Sequence, residues 1–229
     1  MQQTLYLSSD LVTLSLSTAS VASLAVAALL ALGLTWVSER WRITVALAAA
    51  ALLASALVYY QSLAIWQAND ALSAAPRYVG WYIVQPALVA ATFFYARLSG
   101  PVSVGVFWRT LAAAILMVFC RFLGDAGIFD PTLGALLSIA FWLYILGELY
   151  FGDMNEAVRK ASRPVRLGYF WVRLILTIGW AIYPILHFVD VVIGSGHTRA
   201  IIVIYTLADL VNLMAVALIF LAVAGKERY

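Results

Sequence analysis

Long apolar stretches, each with few or no charged residues, are the feature that most limits how this chain can fold. Residues 11–37, for example, contain no charged side chain, and about 20 apolar residues in a row suffice to cross the hydrocarbon core of a bilayer. Seven such stretches take up most of the 229 residues, of which 65% are hydrophobic and 11% charged. Because backbone amides in lipid must be hydrogen-bonded within their own segment, each stretch is expected to be a helix. The sequence therefore predicts an all-α membrane protein, a bundle of seven transmembrane helices.

The turns between these helices are marked by glycine, proline and charged residues. Ser99-Gly100-Pro101 and Gly194-Ser195-Gly196 interrupt the apolar pattern, and the longest charged loop runs from Asp153 to Arg166. We predict one domain over residues 1–229, with helices at about 11–37, 43–66, 77–98, 103–123, 132–151, 167–192 and 199–224. No basic residue precedes the first apolar run, so we interpret that run as a helix of the mature protein and not as a signal peptide.

Basic residues predict the orientation of the bundle, because cytoplasmic loops are enriched in lysine and arginine. Three of them lie near helix ends on one side of the predicted membrane, namely Arg77, Arg121 and Arg199. Nine fall on the other side: Arg40, Arg42, Arg97, Arg159, Lys160, Arg163, Arg166, Lys226 and Arg228. We therefore expect a cytoplasmic C-terminus, an external N-terminus and a multi-pass location in the inner, plasma membrane of a cell.

Several functional classes are excluded or made less plausible by composition. A formal charge of +3 is too small for a nucleic-acid-binding protein. The single cysteine, Cys120, excludes an intrachain disulfide and a cysteine-based metal site. Neither a nucleophile–base pair nor a cluster of metal-ligating residues is visible in the pattern, so we expect no enzyme and no bound metal. The lipid bilayer is the expected partner.

Four short strings on different predicted helices, taken in order, resemble one family. They are Arg77-Tyr78-Val79-Gly80-Trp81 with Pro86 five residues later, WLYILGELYFG at 142–152, GWAIYP at 179–184 and YTLADLVNL at 205–213. Each string alone is weak, but together they are similar to the proteorhodopsin and xanthorhodopsin branch of the microbial rhodopsins. The resemblance implies the seven-helix fold of that family and a central pocket for retinal.

The resemblance also implies which residues form the pocket. Trp81 would cover one face, Trp180 and Tyr183 with the adjoining Pro184 the other, and Tyr60 and Tyr205 would approach the far end. Val84, Asp209 and Leu213 complete the expected lining. Broad rigid rings suit a flat polyene, and a tyrosine hydroxyl can bond a buried carboxylate. The alternative is that aromatic residues at helical spacing are ordinary packing in a membrane bundle.

In that family retinal is bound as a Schiff base to a lysine four residues after the aspartate of the last helix. Here the aspartate is Asp209 and the matching position is Leu213, while the two lysines of the chain are Lys160 and Lys226. An imine requires a primary amine, and arginine stays protonated. Covalent attachment of retinal is therefore not expected.

Other positions that the family uses for proton transfer are also replaced. Gly80 stands at the counterion position, Val84 where threonine is usual, and Ala91 at the cytoplasmic proton-donor position. A light-driven proton pump is therefore not expected. With one cation lost at 213 and one anion at 80, Arg77 and Asp209 remain as a balanced charge pair. Two unrelated substitutions, or a purely structural bridge between these two residues, would give the same pattern.

Ala135 matches the position where small residues in xanthorhodopsin-like proteins open a window for a carotenoid. A small residue in a membrane helix also serves close packing, so both interpretations stay open.

The leading hypothesis is a lysine-less relative of the rhodopsins that holds retinal or another apolar polyene, such as a carotenoid, non-covalently, as a carrier, store or accessory subunit. An alternative is a scaffold or partner subunit of a true rhodopsin, in a homo- or hetero-oligomer such as a trimer or pentamer. A light-independent channel or transporter is a third class. A photoreceptor whose lysine at 213 was replaced or misrecorded is the fourth, although Gly80 and Val84 argue against it.

Overall fold

The computed structural model describes residues 10–72, 75–193 and 199–227, with the side chains of residues 190–193 excepted. All of the regular secondary structure in these ranges is helical. The helices are α1 (Leu11–Gly33), α2 (Glu39–Asn69), α3 (Ala75–Arg97), α4 (Val104–Asp125), α5 (Pro131–Phe151), α6 (Asp153–Arg159), α7 (Arg163–Leu174), α8 (Trp180–Ile193) and α9 (Arg199–Lys226). A π-helical turn, Ile175–Gly179, joins α7 to α8.

Seven segments are long and apolar enough to cross a membrane, which confirms the predicted architecture. Helices α1 to α4 and α9 each form one segment; α5 with α6 forms the fifth, and α7 with the π-turn and most of α8 forms the sixth. Neighbours along the chain pack side by side, and α9 closes the bundle against α1, α2 and α7. The chain is a multi-pass membrane protein.

Short polar side chains begin several helices where the sequence predicts a start. The Asp10 carboxylate accepts a hydrogen bond from the Val12 amide, and Asp130 accepts one from the Leu133 amide at 3.0 Å, with Pro131 at the first helical position. These caps satisfy amides that have no partner within the helix. Proline at the first position has no such amide to leave unpaired.

Some predicted boundaries were wrong, chiefly where charged residues continue a helix. Helix α2 begins at Glu39 and ends at Asn69, beyond the predicted 43–66, and α1 ends at Gly33, before the predicted residue 37. The predicted charged loop contains α6, whose acidic first turn and Arg159 at its end complement the helix dipole. The predicted turn at 194–196 lies outside the described residues.

The interior has two apolar regions, and the site described below lies where they meet. The larger region fills the half of the bundle near the α1–α2 turn, with Trp41, Phe93, Tyr95 and Phe220 each no more than 1% exposed. The smaller region contains Val12, Leu16, Ala19, Tyr59, Trp66, Ile202 and Leu210.

Ion pairs join the helix ends at both faces of the bundle. At one face, Arg40 of α2 lies 3.3 Å from Glu227, which follows α9. At the other face, Arg199 of α9 lies 2.8 Å from Asp70, and the Trp66 indole donates to Asp10 at 2.5 Å. At the first face these contacts join α2 to the end of α9. At the other face they join α1, α2 and α9.

Candidate functional site

Asp209 of α9 is the centre of a hydrogen-bonded group that draws on four helices. Tyr59 of α2 donates to Oδ2 at 2.5 Å, and the Trp81 indole of α3 lies 3.2 Å from both carboxylate oxygens. The hydroxyl of Tyr183 in α8 donates to Oδ1. Three donors replace much of the solvation that a carboxylate loses on burial. The structure thus brings together Trp81, Tyr183 and Asp209, three of the residues predicted from the sequence.

The fourth member of this group is Tyr59, and the prediction of Tyr60 was wrong. Tyr60 is 67% exposed and points away from the centre, whereas Tyr59 is 9% exposed. The two tyrosines differ by one step of about 100° around the helix, so only one can face inward. The buried residues Ser55, Tyr59, Ser62 and Trp66 are spaced by four, three and four positions. This helical stripe in the sequence is the signal that would have selected Tyr59.

Arg77 does not form the predicted direct pair with Asp209. Among the described residues no ion pair within 4.0 Å joins the two. The guanidinium instead lies over the Tyr205 ring, 4.3 Å from its centroid, and 5.9 Å from the centroid of Trp81. Such stacking is favourable because the face of an aromatic ring is electronegative. The positive charge therefore stays near Asp209, but the aromatic rings position it.

Aromatic rings form a continuous group around the centre. The Trp81 ring contacts Tyr183 edge-on at 5.1 Å between centroids, and Tyr183 stacks on Tyr205 at 5.9 Å with an interplanar angle of 6°. Tyr205 also donates to the backbone carbonyl of Tyr183 at 3.4 Å. These rings hold the predicted aromatic residues of α3, α8 and α9 in mutual contact.

Two adjoining cavities flank this group. Cavity 1 offers about 60 Å³ to the centres of water-sized molecules, and cavity 2 about 40 Å³. Each has room for several waters, since one water needs on the order of 10–15 Å³ by this measure. Four side chains line both cavities and lie between them: Trp81, Gln85, Trp180 and Tyr183. A molecule that spans both cavities requires these side chains to shift.

Cavity 2 contains the positions at which the sequence departs from the resemblance. Gly80, Val84, Asp209 and Leu213 all line it, together with Arg77 and Tyr59. Leu213 is 3% exposed. A Cβ atom at Gly80 would lie 3.2 Å from Val58 Cγ1, so a larger side chain at this position requires Val58 to move slightly.

Ala91 lies away from both cavities, in the larger apolar region. It is fully buried, and so are Tyr95 and Ala96 beyond it on α3. The Tyr95 hydroxyl donates to the Val165 carbonyl at 2.7 Å, and its ring packs edge-on against Trp41 at 5.2 Å. The predicted proton-donor position is therefore enclosed by apolar packing.

Cavity 1 lies between α3, α4, α5, α8 and α9. Trp180, Pro184, Tyr205 and Ala135 line it as well, and Ala135 is 2% exposed. Sequence reasoning missed seven of its lining residues: Gln85, Met117, Val118, Arg121, Ser138, Ile139 and Trp142. The Trp142 indole donates to the Leu176 carbonyl at 2.9 Å, in the π-turn. The signal for Trp142 was present in the 142–152 string, but its direction depends on how α5 packs against α8.

The π-turn lies directly before Trp180, which lines both cavities. Asn212 of α9 donates to the carbonyl of Gly179, the last residue of the turn, at 3.0 Å, and π-helical turns of this kind are frequent at functional sites. A Cβ atom at Gly179 would collide with the Asn212 amide. Glycine at 179 therefore lets α9 approach α8 directly behind Trp180.

Seven membrane helices around a carboxylate, its tyrosine and tryptophan donors and two adjoining cavities define the class of protein: a helical membrane protein with an aromatic-lined central site. The family described as Bacteriorhodopsin-like protein matches residues 10–226. The chain belongs to that family.

Curated relatives place it near the proteorhodopsins. It is 33% identical over 153 residues to the blue-light absorbing proteorhodopsin of Gamma-proteobacterium Hot 75m4, a match that covers 66% of this chain and 61% of the relative. It is 30% identical over 152 residues to the green-light absorbing proteorhodopsin of Gamma-proteobacterium EBAC31A08, with the same coverage. The matched part thus spans about 61% of the length of these relatives.

Solved structures share the whole fold. Blue light-absorbing proteorhodopsin from Med12 is 25% identical with a TM-score of 0.80, over 94% of this chain and 98% of that one. Xanthorhodopsin, described as a light-driven ion pump with dual chromophore, is 19% identical with a TM-score of 0.84, over 95% and 94%. At 19% identity, the similarity to xanthorhodopsin shows a shared fold alone.

Proposed function

We propose that this protein binds retinal or another apolar polyene non-covalently in the two cavities around Trp81 and Trp180, and that it is not a light-driven proton pump. The observation that carries the proposal is a combination: rigid aromatic rings line an internal site, and the buried position that matches the family lysine is Leu213. Apolar walls with a few fixed polar groups are typical of sites for small apolar molecules.

The positions of the two lysines argue against covalent attachment. The lysines of the sequence are Lys160, which follows α6, and Lys226 at the end of α9. Lys226 lies 13 residues after Leu213, or about 20 Å along a helix at 1.5 Å per residue. Neither amine reaches the space beside Asp209.

The surroundings of Ala91 argue against proton pumping. A pump that releases a proton on one face needs a path for its replacement from the other. The larger apolar region around Ala91 contains Phe93 and Phe220, which have no titratable group and are no more than 1% exposed, and the buried Tyr95 hydroxyl there is already bonded to the Val165 carbonyl. Gly80 supplies no carboxylate next to the centre.

The direct test adds all-trans retinal to the purified protein in lipid nanodiscs. We expect saturable quenching of tryptophan fluorescence with no large red shift of retinal absorbance. Trp180→Leu should weaken binding about tenfold or more, because it removes a ring that lines both cavities. Trp108→Leu is the matched control, since Trp108 is 62% exposed on the outside of α4.

A large red shift that hydroxylamine abolishes would show a Schiff base and contradict the proposal. No binding of any polyene would reject it and favour a role as partner subunit.

A second test restores the missing amine. Leu213→Lys places a lysine one turn beyond Asp209, where its ammonium or imine can pair with the carboxylate. If the cavities accept retinal, this variant should form a visible pigment that hydroxylamine bleaches, and the unaltered protein should not. Val211→Lys is the control: it puts a lysine on the same helix at a position that is 62% exposed. Equal pigment in both variants, when both are folded by size-exclusion chromatography, contradicts the assigned pocket, and pigment in neither contradicts binding of retinal with its aldehyde beside α9.

A further inference from the structure

Cavity 1 has one charged group in its wall that the proposed function does not use, Arg121 of α4. Its side chain is 16% exposed and lines the cavity one turn beyond Met117. Nη2 of Arg121 lies 2.9 Å from Oδ1 of Asp125. Nη1 is buried, and among the residues that the structure describes it has no hydrogen-bond partner. A buried donor without an acceptor is unfavourable, so this atom indicates that an acceptor belongs in the cavity.

The charges around Arg121 indicate what kind of acceptor fits. Asp125 already balances the guanidinium, and the hydroxyl of Tyr78 donates to the same carboxylate. A carboxylate ligand would add a second anion beside one cation in a region of low polarity, which is electrostatically unfavourable. A neutral carbonyl or hydroxyl oxygen accepts the hydrogen bond from Nη1 without adding charge. The geometry therefore favours a neutral oxygen.

The rest of cavity 1 requires an apolar body. Ala135, Ile139, Trp142 and Pro184 contribute carbon surface, and the Trp142 indole is already bonded to a backbone carbonyl. In cavity 2 the donors nearest the carboxylate, Tyr59, Trp81 and Tyr183, are all bonded to Asp209. Arg121 is thus a largely buried cation in the wall of cavity 1, opposite apolar groups, and its Nη1 has no hydrogen-bond partner among the described residues.

We infer that cavity 1 holds the oxygen-bearing end of a neutral oxygenated polyene, whose carbonyl or hydroxyl oxygen accepts a hydrogen bond from Nη1 of Arg121. This inference rests on the proposed function and narrows its ligand class. A bound retinal would then have its aldehyde beside α4, and a Schiff base in the Leu213→Lys variant requires retinal to bind in the opposite direction.

The test compares four probes that differ only at one end: retinal, retinol, retinoate and axerophthene. Axerophthene is the hydrocarbon that carries a methyl group where retinol carries its hydroxymethyl group. We expect retinal and retinol to bind about tenfold more tightly than axerophthene, the effect of one hydrogen bond to a charged donor. Retinoate should bind no more tightly than retinol. In the variant Arg121→Met/Asp125→Asn, which removes both charges together, the preference should fall below about threefold.

Infrared spectroscopy of bound retinal, with an isotope label at the carbonyl carbon, reports the hydrogen bond itself. The carbonyl stretch should lie below its value in a hydrocarbon solvent and return toward that value in the double variant. Arg42→Met/Glu39→Gln is the matched control, because it removes an exposed ion pair of 3.5 Å on α2.

The outcomes separate the two proposals. Equal binding of retinal and axerophthene leaves polyene binding intact and rejects the role of Arg121, as does a carbonyl stretch at the hydrocarbon value in the unaltered protein. Neither measurement needs a variant, so both hold even if the double variant does not fold. If no polyene binds, the proposed function fails, and this inference fails with it.

Discussion

The tyrosine and tryptophan donors around Asp209 show how closely single residues determine this site. Each donor comes from a different helix, α2, α3 or α8, so the carboxylate is also a point at which the helices are fixed to α9. Buried polar groups of this kind are stable only while every member keeps its partner. Substitutions there are therefore expected to affect stability as well as binding.

The adjacent tyrosines of α2 provide a matched comparison. Tyr59→Phe removes the 2.5 Å hydrogen bond to Asp209 and should lower the free energy of unfolding by about 1–2 kcal/mol. Tyr60→Phe alters a side chain that is 67% exposed and should change it by less than about 0.5 kcal/mol. Thermal unfolding of both variants in the same detergent measures the difference. Equal effects would mean that the inward tyrosine was assigned incorrectly.

The carboxylate itself is tested by Asp209→Asn. The amide nitrogen of the asparagine is itself a donor and would face a side chain that also donates. One of the three hydrogen bonds at position 209 would therefore be lost. The expected loss of stability is about 1–3 kcal/mol. Glu39→Gln is the same chemical change on a side chain that is 89% exposed, and it should have little effect. A similar melting temperature for both variants would contradict a stabilising role of Asp209.

The packing of whole helices determines the shape of cavity 1, and α4 and α5 approach each other closely beside it. A Cβ atom at Gly134 of α5 would lie 2.7 Å from the Cys120 carbonyl and 2.8 Å from Gly124 Cα, both on α4. Backbone atoms cannot move aside as a flexible side chain can. Small residues allow membrane helices to approach in this way. This contact sets the distance between Arg121 and the α5 wall of the cavity.

Gly134→Ala should therefore separate α4 from α5 and destabilise the bundle by about 1–3 kcal/mol. It should also weaken retinal binding, because both helices line cavity 1. The control is Gly147→Ala on the same helix, where an added Cβ has no atom within 4 Å. Thermal unfolding and the fluorescence titration are measured on both variants. An unchanged Gly134→Ala protein would contradict the close contact.

Helix α6 is an element that the local sequence pattern did not predict. Charges between Asp153 and Arg166 favoured a loop, yet Met154, Ala157 and Val158 on one side of the segment are buried. Seven residues form a helix here because an apolar side packs against the bundle. The starts of α1, α4 and α5 were predicted more closely, since Asp10, Ser103 and Asp130 cap them locally.

For the bundle as a whole, the predicted orientation is open to a direct experiment. In a Cys120→Ser background, we expect Ile128→Cys in the α4–α5 turn to react with a membrane-impermeant maleimide on intact cells. Ile128 is 65% exposed. Glu39→Cys, at the other face, should react only after lysis, because basic residues near it favour the cytoplasm. The reverse pattern of labelling would show the opposite orientation.

The sequence by itself determined the number of membrane-spanning segments and the chemistry at position 213. In lipid each segment must satisfy its own backbone hydrogen bonds, so an apolar stretch of sufficient length is a helix wherever it packs. Asp209, Trp81 and Tyr183 were likewise found from motifs. The absence of lysine from the seven apolar stretches is a property of the printed sequence.

Only the tertiary structure decided which side chains meet. The rotation of α2 about its axis places Tyr59 inside and Tyr60 outside. The relative positions of α3 and α9 set Arg77 on Tyr205, apart from Asp209. The approach of α4 to α5 places Arg121, whose Nη1 has no hydrogen-bond partner among the described residues, in the wall of a cavity. These outcomes depend on the rotation and separation of neighbouring helices, which are fixed by the packing of many side chains at once. Of the three, only the inward position of Tyr59 leaves a local pattern in the sequence, the stripe of Ser55, Tyr59, Ser62 and Trp66.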